Sequence, residues 1–317
     1  MNIPVFDLHC DTALGMAGRT YQPGPGLRKN HLHIDLERAS TLAGYCQCFA
    51  CFTTPMMRQW YQKSPEEVFQ RELAAVLSNV QDHGDLIAQA FSMADVKQNL
   101  EQGKMSAILT IEGPAGFGFD PARLEELWKL GFRITTLGWN EDNVLSGSHM
   151  TGGGLTELGR AYVREAQRLG MVVDVSHLSD KGFYDIMDIT EAPVIATHSN
   201  SRAVRNHSRN LTDAMFMEII NTGGVAGFNL YTDFIGENAD LDTCCDHIFH
   251  FMELDPSGKH IALGGDLDGC DLLPKGFEGI QDYPKLSARL LARGLDEQTI
   301  RNIFWNNALG VMEKCSM

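Results

Sequence analysis

Apolar residues recur along this chain in two rhythms. Short, nearly continuous apolar runs bounded by Gly, Pro or polar clusters occur in residues 4–12 (PVFDLHCDT), 44–52 (GYCQCFACF), 105–111 (MSAILTI), 132–137 (FRITTL), 171–177 (MVVDVSH), 192–199 (APVIATHS), 223–231 (GGVAGFNLY) and 260–269 (HIALGGDLDG). Runs of this length and composition read as strands buried on both faces. Between them lie stretches with the helical period. The clearest is 65–82, where Phe69, Leu73, Val76, Leu77 and Val80 share one face. Further helices are predicted at 93–100, 121–130, 155–169, 179–189, 212–221 and 241–253, and in the tail from Tyr283 to Lys314. Residues 15–34, rich in Gly and Pro, are predicted as a long loop following the first strand. Eight apolar runs alternating with helices, without a linker-like break in composition, point to an α/β chain folded as one (β/α)8 TIM barrel over 1–317, with C-terminal helices.

Composition narrows the setting. The 317 residues are 44% apolar and 21% charged, ordinary for a globular enzyme-sized chain, with a formal net charge of −15. That charge argues against nucleic acid or an anionic membrane surface as a partner, and requires a local cationic group for any acidic substrate. No apolar run approaches a spanning helix and no basic-plus-apolar leader is seen, so a cytoplasmic chain starting near Met1 is expected. Cys46, Cys48 and Cys51 have a cluster-like spacing, but they sit in an apolar run with no second pair at zinc-ribbon spacing, and are read as core residues. Cys244, Cys245 and Cys315 lie in helical contexts.

The chemistry lies where the apolar runs end. His9 and Asp11 close the first, Glu112 the third, His177 the fifth, His198 the sixth and Asp266 the eighth. In a barrel of this kind the carboxyl ends of the strands form the active-site face. Any one of these residues alone reads equally as a hydrogen-bonded core polar group or, for Asp266, as a helix cap. Together, three imidazoles and three carboxylates at one rim would repel or stay unsatisfied without cations between them. The set suffices for two metals sharing one carboxylate, and metal-assisted hydrolysis follows as the reaction class. Two other features are set aside. His31 and His33 form a loop pair with no strand before them, and Gly152–Gly154 lacks the spacing and following Lys of a phosphate cradle.

The motifs DLHCDT, IEG, GFRITTLGWN, GLTELGR, VDVSH, THSNSRAV, SRNLTD, GFNLY and GGDLDG occur in that order along nearly the whole chain. Their combination resembles the membrane (renal) dipeptidase family. The resemblance implies a barrel with two Zn2+ ions, one held by His9 and Asp11, the other by His177 and His198, with Glu112 bridging both. It also implies that Asp266 holds the bridging water and passes its proton to the leaving amine. Arg209 would pair with the substrate's terminal carboxylate, a role suited to a bidentate guanidinium in an acidic protein, and Tyr231 would line the pocket. One position departs from the pattern. Animal members carry a histidine after the fourth strand, whereas this chain has Trp139 followed by Asn140. Trp offers one N–H and cannot bind metal, so the substrate, rather than the metals, is what the change affects. The expected function is a zinc dipeptidase acting on L,L and, by extension, L,D dipeptides, a homodimer by family likeness. The alternatives are a binuclear amidohydrolase acting on N-acyl amino acids, lactams or cyclic amides, and a non-catalytic barrel.

Overall fold

A computed structural model of the chain describes residues 3–18 and 24–315. Its strands are Val5–Cys10 (β1), Tyr45–Phe52 (β2), Ile87–Gln89 (β3), Met105–Glu112 (β4), Phe132–Thr135 (β5), Val172–Asp174 (β6), Val194–Ile195 (β7), Ala226–Phe228 (β8) and Ile261–Leu263 (β9). Around the ring they run β7-β6-β5-β4-β2-β1-β9-β8, every pair parallel. A parallel bridge between Ala196 and Ala226 brings β7 to β8. The result is a nearly closed (β/α)8 TIM barrel, as the apolar pattern predicts. β3 is the strand that the pattern does not predict. It is three residues long, pairs only with β4 and lies off the ring.

The connecting helices form where their spacing places them. The longest, Pro65–Asp82, starts at a capping box in which Ser64 and Glu67 each accept the other's backbone N–H, with Pro65 in the first turn. It buries Phe69, Leu73 and Val76, and the Phe69 ring stacks on Phe132 of β5 with centroids 5.7 Å apart. The predicted loop after β1 begins as a short helix, Thr12–Ala17, and its residues 19–23 lie outside those described. No helix among the described residues is long and apolar enough to cross a membrane.

Phe6, Leu8, Cys46, Cys48, Ile108, Ile134, Val172, Ile195 and Ala262 form one buried cluster with Trp305, Ala308 and Met312. Residues drawn from so many strands can meet only inside the barrel, which the C-terminal segment therefore plugs from one end. Val5 and Cys10 belong instead to the outer cluster beneath the helices. The inside–outside parity of β1 thus reverses between Leu8 and Cys10, where its register with β2 shifts. This irregularity leaves His9 free to face the barrel mouth. All eight cysteines are buried and free.

Barrel closure depends on missing side chains. A Cβ on Gly264 would lie 1.6 Å from the Thr197 carbonyl oxygen, and one on Gly227 would lie 2.0 Å from the same atom. Backbone on both sides of Thr197 leaves nothing soft to move. Gly264→Ala is expected to destabilise the fold by about 1–3 kcal/mol or more and to disturb the neighbouring His198. An unchanged thermal midpoint would contradict this account of closure.

Candidate metal centre

His9, Asp11, Glu112, His177, His198 and Asp266 meet at the carboxyl ends of the strands. Glu112 is central: its Oε2 lies 3.4 Å from His9 Nε2, and its Oε1 lies 2.9 Å from His177 Nε2 and 3.9 Å from His198 Nε2. His9 Nε2 is also 3.7 Å from Asp11 Oδ2 and 3.9 Å from Asp266 Oδ1. Asp11 reaches this place by a route that strict strand alternation does not describe. It lies past the end of β1, at the start of helix Thr12–Ala17, where its side chain makes no capping bond.

The backbone around these residues is held from beneath by two buried carboxylates. Asp7 accepts N–H bonds from His9 and Gly265 and the hydroxyl of Tyr283. Asp174 accepts N–H bonds from Ser176 and Thr197 and the hydroxyl of Thr197. Each ties two neighbouring strand ends together, next to His9 and Asp266 in one case and next to His177 and His198 in the other. A carboxylate inside an apolar run is the sequence signal for such anchors, since an unpaired one would be prohibitive to bury. His177 and Asp266 themselves adopt left-handed backbone, with φ of 69° and 56°. Each such residue costs on the order of 1 kcal/mol or more and persists because its surroundings impose it.

Hydrogen bonds also set the imidazole tautomers. His177 Nδ1 donates to Asn140 Oδ1 at 2.8 Å. The Thr197 hydroxyl is spent on Asp174, so Thr197 Oγ1 accepts from His198 Nδ1, 2.7 Å away. Both Nε2 atoms are therefore bare, and they face each other at 2.9 Å. Two lone pairs at that distance, beside a carboxylate oxygen, need positive charge between them. His9 Nε2 and Asp11 Oδ1 are buried with no hydrogen-bond partner. His9, Glu112 and His198 form one group whose ligand atoms converge closely enough for an ion, and His9, Asp11 and Asp266 form a second. Imidazole and carboxylate donors with orienting partners behind them suit divalent metals such as zinc.

The electrostatics carry the same strain. Burial and the charge of Asp11 push the Glu112 carboxyl up to about 8. Burial raises Asp266 to about 6, against the pull of His9 and Arg209. Burial would depress His9, but Glu112 and Asp11 override it and hold it well above its ordinary value. Burial, with Arg209 or His9 nearby, holds His177 and His198 well below theirs.

A cavity of about 250 Å³ opens over the cluster, lined in part by Asp11, Glu112, Trp139, Asn140, His177, Tyr231 and Asp266. Arg209 is not among its lining side chains. It lies buried behind Phe234, with its guanidinium 5.4 Å from that ring, 3.4 Å from the His198 carbonyl oxygen and 3.4 Å from Ser199 Oγ. Its Nε has no partner. Sequence reasoning missed His149, whose Nε2 donates to the same Asn140 oxygen and whose Nδ1 bonds Ser208 Oγ. It also set aside His33, whose Nδ1 accepts the Asp268 N–H while Asp268 Oδ1 accepts the His33 N–H. Both histidines sit in loops, away from any apolar run that would flag them.

The sequence profile described as Membrane dipeptidase (Peptidase family M19) matches residues 1–317. The chain belongs to that family. Among curated relatives of this membrane dipeptidase family member, an uncharacterized dipeptidase of Schizosaccharomyces pombe is 37% identical over 234 residues, which is 70% of this chain and 57% of that protein. The aligned part thus spans little more than half of the relative's length. Among solved structures, a metallopeptidase from Rhodobacter sphaeroides, liganded with a phosphinate mimic of the dipeptide L-Ala-D-Ala, superposes with a TM-score of 0.86 at 27% identity, over 99% of this chain and 100% of that one. The dipeptidase AC, a family M19 metallopeptidase, gives 0.86 at 28% identity over 99% of each chain. The fold is that of the metal-dependent hydrolases of this family.

His149 provides a test of the polar network around the site. Burial, reinforced by Arg209, depresses it to about 3 from an ordinary 6.5, so the folded protein keeps it neutral. Protons then favour the unfolded chain as pH falls below 6.5. Because His149 is only partly buried and solvent screens it, the wild type should lose about 1 kcal/mol or less between pH 7 and 5 through this group. His149→Gln, which can keep the bond to Asn140, should lose less over that interval in urea titrations at the two pH values. Identical losses in both proteins would remove His149 from the account.

Proposed function

We propose that this chain is a zinc-dependent dipeptidase that cleaves the peptide bond of L,L and L,D dipeptides, with 1–317 forming a single metallopeptidase domain. The observation that carries the reading is the convergence on Glu112 of three Nε2 atoms, two of them bare and facing, beneath a cavity of about 250 Å³. Family membership and the ligand of the Rhodobacter sphaeroides relative support it. Cytoplasmic location and a homodimer are part of the same proposal, on composition and family likeness.

In this reading His9 and Asp11 would hold one ion and His177 and His198 the other, with Glu112 shared between them. The pair of ions would supply the Lewis acidity that activates water and polarises the scissile carbonyl. The chain's own residues supply the rest. Asn140 and Thr197 keep His177 and His198 aimed with Nε2 inward. Asp266 stands over the His9 side of the cluster, its Oδ2 accepting from Asn229 Nδ2 at 3.1 Å. It takes the proton released from the attacking water and returns it to the departing amine. Arg209, with an unpaired Nε behind Phe234, selects a free C-terminal carboxylate. Tyr231 and Trp139 wall the cavity and exclude water.

Chelation of the purified protein should abolish dipeptide hydrolysis, and zinc should restore it, with about two ions bound per chain by elemental analysis. Turnover of N-acyl amino acids but not of dipeptides would instead support the amidohydrolase alternative that Trp139 keeps open. Asp266→Asn should lower kcat by about 10²–10⁴ while metal content stays at the wild-type level. A drop in activity that merely tracks lost metal would deny Asp266 the proton-transfer role.

A further inference from the structure

Phe52 at the end of β2, Trp60 and Tyr61 from the helix Met57–Tyr61, and Trp139 beyond β5 all line the cavity over the metal centre. The Phe52 and Trp139 rings lie 5.3 Å apart, and Trp60 stands edge-on to Trp139 at 5.5 Å and 83°. Phe52 joins Leu14, Met57 and Val68 in a small apolar cluster of their own, separate from the barrel interior and from the layer beneath the helices, with Tyr61 and Trp139 packed against it. Trp60 is 41% exposed, a large apolar surface held at the cavity edge. Glu141, two residues after Trp139, accepts from Thr54 Oγ1 at 2.5 Å and is not among the lining residues.

The ring order gives this wall a direction. From β2 to β7 is four steps either way, through β4, β5 and β6 or through β1, β9 and β8. The segment after β7 carries Arg209, so Arg209 and the wall that Phe52 and Trp60 begin lie on opposite sides of the mouth. Asp11, Asp266, Asp268 and Gly269 line a third, acidic side, between β9 and β1. A dipeptide whose carboxylate is held on the Arg209 side, with its peptide carbonyl over Glu112, must direct its first residue toward β2. There the ammonium has an acidic side to face and the side chain has an aromatic one.

On the strength of the dipeptidase reading, we propose that Phe52, Trp60, Tyr61 and Trp139 form the pocket for the side chain of the substrate's first residue, and that they select bulky apolar side chains there. Trp139 is the floor against which Trp60 stands edge-on. Covering exposed indole with an apolar side chain removes both surfaces from water, whereas a charged side chain would be desolvated without a partner.

The test is steady-state kinetics of the zinc-loaded protein on Leu-Gly, Phe-Gly, Lys-Gly, Gly-Leu, Gly-Phe and Gly-Gly, with the wild type, Trp60→Ala and Trp60→Phe. Leu-Gly and Phe-Gly should exceed their reversed sequences in kcat/KM by about tenfold or more. Trp60→Ala should bring Phe-Gly close to Gly-Gly, chiefly through KM, while Gly-Phe changes less than about twofold, which also shows that the variant is folded. Trp60→Phe should recover most of the loss. A preference for the reversed peptides or for Lys-Gly, or an equal loss on all substrates in Trp60→Ala, would overturn the assignment. Turnover of none of the six by the wild type would defeat the dipeptidase reading and this pocket with it, a result distinct from turnover without preference.

Discussion

Three carboxylates and the bare Nε2 atoms of two imidazoles are crowded at one point, and buried partners around the barrel mouth hold them there. His177 Nε2 and His198 Nε2 face each other at 2.9 Å with their protons committed elsewhere, and Glu112 sits against both. A surface with this arrangement would rotate its side chains apart. Here it cannot, because Asn140 and Thr197 clamp the far ring nitrogens. Asp7 and Asp174 in turn fix the backbone from which His9, His177 and His198 project. The repulsion is the mark of a site made for cations, whose charge turns the conflict into coordination.

The two buried anchors divide the ring between them. Asp7 ties β1 to the segment after β9, and Asp174 ties β6 to the segment after β7. Between these segments Gly227 and Gly264 let backbone pass against the Thr197 carbonyl, where any side chain would collide. The left-handed backbone of His177 and Asp266 belongs to the same economy of space, because the strands must end abruptly for both side chains to turn inward. Barrel closure and site geometry are thus one problem, solved by a few residues that touch no substrate.

The family frame leaves room for individuality above the metals. Trp139 joins Phe52 and Trp60 in a continuous aromatic face. Asn140, beside it, turns its oxygen to His177 and His149. One residue of this pair thus serves the cavity wall and its neighbour serves the orientation of an imidazole, although both follow a single strand.

Periodicity alone determined the number and order of the ring strands, because a strand buried on both faces must be apolar along most of its length and the helical stretches between the runs separate one from the next. That same pattern places His9, Glu112, His177, His198 and Asp266 at one rim. It could not yield β3, too short and too half-buried to leave a pattern. It set Asp11 beside His9 for an incomplete reason, since the parity reversal in β1 and the turn into Thr12–Ala17, not plain alternation, bring them within 3.7 Å. His149, His33 and Trp60 lie in loops or a one-turn helix whose positions depend on what they pack against. Tautomers, carboxyl anchors and the aromatic wall are decided by contacts between residues far apart in the chain, and only the folded barrel brings those residues within bonding distance.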